Sequence, residues 1–218
     1  MDLTWSITWA EYVQKMIGGF AVVNPFSTIP VFISLTAHYS ANERKKVARG
    51  TGISVFVILV VAYFIGGVLL KFFGISVASF RVAGGILILM TAFSMLQARL
   101  SSTKQTDDEA SEAQEKENIA VIPLALPMLA GPGSISLAII ASTRTQTIMD
   151  DVSVVGALLV IAILTWLILS AGVKIAKVLG TTGMNITTRL MGLILAAIAI
   201  EFIVAGLGEK FPGWLAGG

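Results

Sequence analysis

The sequence predicts an all-α polytopic membrane protein, with six transmembrane helices in an inverted 3+3 repeat and helices 1 and 4 broken at proline motifs. Three observations lead there. Only 13% of the residues are charged and 56% are hydrophobic, with a mean hydropathy of +0.87; a soluble domain carries about 25% charged residues. Apolar runs of about 20 residues recur, and each can cross a bilayer core of about 30 Å. Two of these runs are interrupted by prolines at the same spacing, in the stretches NPFSTIP (24–30) and LPMLAGPGS (126–134).

The spans fall at about 11–36, 50–71, 76–99, 119–143, 152–174 and 187–208. Spans two and five are continuous apolar helices. Spans three and six carry Gly84, Gly85 and Gly192, which let helices approach closely. The N-terminal stretch is not expected to be a cleavable leader, since its first basic residue is Lys15. Lysine and arginine set the orientation. Arg44, Lys45, Lys46, Arg49, Arg99, Lys104, Lys116, Lys174, Lys177 and Arg189 follow spans one, three and five. Those loops are expected inside, with both termini outside. The acidic stretch 107–117 reads as part of a polar cytoplasmic linker, 101–118, between repeats at 1–100 and 119–218. Trp5, Trp9 and Trp214 read as interface anchors.

The repeat rests on two matches. Pro25 and Pro30 align with Pro127 and Pro132, and Ile33-Ser34-Leu35 with Ile135-Ser136-Leu137, all at an offset of 102. The stretch from Arg81 to Leu87 aligns with that from Arg189 to Leu195 at 108. A three-helix unit repeated once must cross the second time in the opposite sense, as in many secondary transporters.

Proline removes a backbone donor and pushes the preceding residue out of helical angles. In hydrocarbon such a break survives only beside protein or water. It also creates a helix start with free N–H groups and a positive dipole end, here expected near Ser27–Pro30 and near Pro132–Ser134. Such ends attract carboxylates, and the carbonyls of the preceding half-helix attract an ammonium. The expected binding residues are Asn24, Pro25, Ser27, Thr28, Pro30, Pro127, Ala130, Gly131, Pro132, Gly133 and Ser134. Their small side chains suit a zwitterion such as glycine, alanine or serine. Glu201, an ionisable group within span six, is the candidate for a coupling ion. Arg81 and Arg189 read as headgroup anchors, His38 as an interfacial residue, and Asp150 and Asp151 as solvated loop residues.

There is no cysteine, no histidine lies within a span, and the lysines of the spans (Lys15, Lys71 and Lys174) stand towards their ends, away from the serine of GPGSIS. Enzymatic chemistry, a bound metal and any cofactor are therefore not expected. The few loop cations form no basic stripe, so nucleic acid is not an expected partner. The lipid bilayer is, and the glycine faces are compatible with a homo-oligomer.

The stretches NPFSTIPVFISLT, FRVAGGILIL, VIPLALPMLAGPGSIS, RLMGLIL and IEFIVAG together resemble the MarC family of bacterial inner-membrane proteins. The resemblance implies an inner-membrane carrier of small neutral amino acids, and the inverted repeat suggests alternating access by one repeat rocking against the other. No P-loop is present, so proton coupling is the default expectation. A channel or facilitator, an exporter of other small metabolites, and a non-transporting scaffold are the alternatives.

Overall fold

The computed structural model describes residues 16–97, 119–143, 145 and 147–214. Lys15, Trp5, Trp9, Arg99 and the 101–118 linker lie outside the described residues. The described chain forms α1 (16–23), α2 (Pro25–Leu35), α3 (Ala41–Phe72), α4 (Val77–Leu96), α5 (Ala120–Leu129, wound with wide π-type turns), α6 (Pro132–Ser142) and α7 (Ile148–Lys210). A 3₁₀ turn follows at Pro212–Trp214.

The starts of the long helices are written in local hydrogen bonds. Ser40 and Glu43 form a capping box that begins α3, with Ser40 N–H donating to Glu43 Oε2 at 2.7 Å. Thr147 and Asp150 begin α7 in the same way, and Ser76 caps α4 through Ser79 N–H. These caps lengthen the helices beyond the apolar runs, so α3 starts at Ala41 rather than near residue 50.

Met16–Leu35, α3, α4 and α7 are each long and apolar enough to cross a membrane. The pair α5–α6, bent by 69°, is a fifth candidate if counted as one span. The predicted spans 152–174 and 187–208 both lie within α7, and the loop expected between them is helical. The stretch 175–186 holds no proline, and the break in it falls at a glycine. One residue departs from helical angles, Gly180 at φ 60° and ψ −177°. A straight 63-residue helix would be about 95 Å long. The two sides of Gly180 instead pack on different partners. Before it, Ala162 and Trp166 approach Gly52 of α3, while Gly172 lies against Ile29 of α2. After it, Gly192 lies against Ala92 and Met95 of α4, and Gly206 against Ala78 and Val82.

The core has two centres. The larger gathers Ile29, Phe32, Leu59, Tyr63, Leu124, Leu129, Ile161 and Leu169, and the smaller gathers Val22, Ile88, Ala92, Met95, Leu195 and Ala199. The opposite faces are apolar too. On α3, Ile53, Val57, Val61, Phe64 and Val68 recur at helical spacing and are exposed, as a lipid-facing stripe requires.

In the smaller core, a Cβ on Gly85 would lie 2.9 Å from Ala199 O and 2.7 Å from Ile203 Cγ1. Gly85→Leu is expected to push α4 off α7 and cost about 1–3 kcal/mol, read as a lower unfolding midpoint in detergent. Leu193→Ala, on an exposed position of α7, is expected to change the midpoint little.

Candidate functional site

The first interruption is a single residue. Asn24 adopts φ 45° and ψ 70°, a left-handed conformation that asparagine tolerates. Its N–H still donates to Phe20 O at 2.8 Å, closing α1. Its Oδ1 accepts from Ser27 N–H at 3.4 Å and its carbonyl from Ser27 Oγ at 3.0 Å, opening α2. Pro25 takes the first helical position, where no N–H is needed. The half-helix therefore starts at Pro25 and not, as expected, near Ser27–Pro30. The cap is complete by Ser27, and the helix runs on through Pro30, which is exposed.

The second interruption is longer. Ile122 and Leu126 hold extended angles ahead of Pro123 and Pro127, as the residue before a proline prefers; both bonds are cis. The segment ends at Leu129, Gly131 is extended at φ −77° and ψ −179°, and α6 begins with Pro132. A Cβ on Gly131 would lie 2.5 Å from Pro127 O, so only glycine fits. Ser134 Oγ donates to Leu129 O at 2.8 Å and pairs one carbonyl released by the interruption. No side chain caps α6. The sequence-aligned prolines thus play different parts: Pro25 and Pro132 open helices, whereas Pro30 lies inside α2 and Pro127 inside α5.

The uncapped start of α6 faces a pocket lined by Gly131, Pro132, Gly133 and Ser134, with Val22, Ile88, Thr91, Met128 and Leu195 around them. It measures about 280 Å³ counted out to its open mouth. Its enclosed part has room for about one water. Val22 brings the end of α1 to this wall, and a Cβ on Gly133 would lie 2.9 Å from Ile88 Cγ1 and 3.6 Å from Val22 Cγ1. Asn24 is buried beyond the wall, and its Nδ2 donates to Met95 Sδ at 3.4 Å, one turn along α4 from Thr91.

Of the expected residues, Gly131 to Ser134 line the pocket. Ala130 is buried beside them in sequence, and Pro25 and Thr28 are buried on α2, the Thr28 hydroxyl without a hydrogen-bond partner. Ser27 and Pro127 are half-buried. Glu201 is exposed on α7 and does not line the pocket. Gly84 faces Ser136, with an added Cβ only 2.9 Å from the serine Cβ. Sequence reasoning missed Val22, Ile88, Thr91, Met128 and Leu195. Leu195 lies in the second repeat match, and Thr91 is a hydroxyl within an apolar span; both were signals that could have been used.

Three charged residues depart from expectation. Arg81 is not a headgroup anchor, being 3% exposed and ion-paired to Glu209 of α7. Asp150 and Asp151 lie in the first turn of α7 rather than in a loop, Asp150 in the capping box and Asp151 accepting from Tyr63 Oη. Arg189 and His38 are exposed.

Residues 9–211 match the family described as MarC family integral membrane protein. The chain belongs to the MarC family. It is 44% identical to the UPF0056 membrane protein YhcE of Escherichia coli over 94% of this chain and 95% of that protein. It is 40% identical to YvbG of Bacillus subtilis, over 92% and 95% of the two chains. It is 41% identical to MJ1677 of Methanocaldococcus jannaschii, over 86% and 91%. No solved structure matches.

The interruption at Asn24 makes a prediction specific to its backbone. Asn24→Ala loses the cap and leaves in the left-handed region a residue that tolerates it less well than asparagine, at a cost of about 1–3 kcal/mol. Asn24→Gly keeps the conformation and is expected to cost less. Unfolding in detergent checks the order, and a glycine variant less stable than the alanine variant would contradict the assignment.

Proposed function

We propose that this MarC family protein is a secondary transporter of the inner membrane that moves small neutral amino acids (glycine, alanine, serine) by alternating access. The observation that carries this is the pocket at the uncapped start of α6, bounded by the end of α1 just before the Asn24 interruption. Free N–H groups at a helix start favour a carboxylate, and the carbonyl end of α5 is the counterpart for an ammonium. With room for about one water in its enclosed part, the pocket admits a small zwitterion only after its lining side chains move apart. On this reading the protein binds and releases its substrate and makes no covalent bond. The pocket is narrow as it stands, so substrate entry requires Ile88 and Leu195 to move back from Gly133.

The same reading takes the chain as six spans, with α1–α2 and α5–α6 as broken helices and α7 as two helices meeting at Gly180. The aligned stretches of sequence and the different packing partners on either side of Gly180 support it. The second three-helix half would then be inverted on the first, and basic loops would put both termini outside. Proton coupling is proposed as the driving force. Glu201 is a candidate carrier only if the exposed face it occupies becomes part of the pathway.

Purified protein in liposomes, given labelled glycine or alanine with and without an inward proton gradient, tests this. Saturable accumulation that needs the gradient is expected, with Gly133→Leu lowering uptake about tenfold or more. Absence of saturable uptake in either direction would overturn the amino-acid assignment. Flux that never exceeds equilibrium would make the protein a facilitator.

A further inference from the structure

The side-chain hydrogen bonds that join residues before the linker to residues after it, among those described, lie at one end of the molecule. Tyr63 Oη meets Thr145 Oγ1 at 3.1 Å and donates to Asp151 Oδ1, tying α3 to the start of α7. Arg81 Nη1 donates to Glu209 Oε1, tying the first turns of α4 to the last turn of α7. The turn between α3 and α4 belongs to this same end.

Arg81 starts a buried stripe on α4 that continues through Gly84, Gly85, Ile88, Ala92 and Met95. Along this stripe α6 packs at Gly84 through Ser136 and Ile140, and at Ile88 through Gly133. Beside it α7 packs at Val82 through Gly206 and at Gly85 through Ala199. One three-helix seam thus runs from the Arg81–Glu209 pair to the pocket wall at Ile88, Thr91 and Gly133. Thr91 lies about 15 Å along α4 from Arg81.

The pair is poorly explained as a stabilising device. Arg81 is 3% exposed while Glu209 is 48% exposed, and Arg81 Nε is buried without a partner. A charge within a membrane protein is costly, and a buried ion pair is often no more stable than apolar packing. The rest of the seam packs through glycines, Ser136 and aliphatic side chains, with no other ion pair among the described residues. A bistable contact, by contrast, needs a bond that can be made and broken between two bodies.

We propose that the Arg81–Glu209 ion pair is a latch between the two halves, holding the α3–α4 end closed over the α4–α6–α7 seam. Its release opens the pocket to that side. The Tyr63–Asp151 contact is its second point on the same end. This proposal rests on the transport reading, and its test needs no substrate.

The chain has no cysteine, so single thiols report accessibility directly. Thr91→Cys places a thiol in the pocket, and Phe73→Cys, at an exposed site beside the α3–α4 turn, identifies the membrane face on which that end lies. An impermeant maleimide is applied to that face. The latch predicts slow labelling of Thr91→Cys alone and labelling about tenfold faster with Glu209→Gln. The double change Arg81→Met with Glu209→Gln removes both charges, leaves no orphaned cation, and is expected to label equally fast. Equal rates with and without the pair, in folded protein, overturn the proposal. Absence of uptake in the unaltered protein would sink the transport reading while leaving this difference in rate to be found; measured uptake with equal labelling rates would sink the latch alone.

Discussion

A peptide group left unpaired in hydrocarbon costs several kcal/mol, yet this chain interrupts two of its apolar helices. Everything else in the structure follows from how those interruptions are made tolerable. At Asn24 the solution is local, with one left-handed residue whose side chain and carbonyl both bond Ser27. At 120–131 it is distributed. Leu124 and Ala130 N–H groups reach back to Ile119 and Ala125, and Ser134 Oγ takes Leu129 O. The start of α6 is left without a side-chain cap, and Gly131 to Ser134 there line a pocket.

The packing around the interruptions is built to let backbones approach. Gly84, Gly85, Gly133, Gly192 and Gly206 sit at contacts where a Cβ would come within about 3 Å of a neighbouring helix. In a bilayer there is little hydrophobic gain from helix association, so close packing has to supply it. The α4–α6–α7 seam is the product, with small residues on its inner side and exposed Ile, Leu, Val and Phe outside. Its polar contacts are gathered at the α3–α4 end.

Much of this was legible in the residues. The apolar runs gave α3 and α4, and the two proline stretches marked where the chain departs from regular helix. The helix starts were placed too late, near 50 and 152, because the capping-box spacing of Ser40 with Glu43 and of Thr147 with Asp150 was not used. The run of α7 past residue 174 was not legible. Lys174, Lys177 and two glycines resemble a loop, yet nothing there forbids a helix, and only the dihedral angles of Gly180 mark the change of direction. Pro30 misled because a proline in register with Pro132 suggests the same role, whereas the Asn24 cap had already fixed the helix start. The far wall of the pocket was hidden because Ile88 and Leu195 look like any other apolar residues until a neighbour shows which side they face. Arg81 and Glu209, 128 residues apart, carry no local signal of their pairing.

The account stands or falls on whether the pocket at Gly131–Ser134 binds a small amino acid. The most direct measurement is the melting temperature of the purified protein in detergent, titrated with glycine and alanine. Binding to the folded state alone raises Tm with ligand concentration. The account predicts a rise with glycine and alanine, none with leucine, and none with glycine for Gly133→Leu. A Tm indifferent to glycine and alanine, or an equal rise in the Gly133 variant, would contradict it.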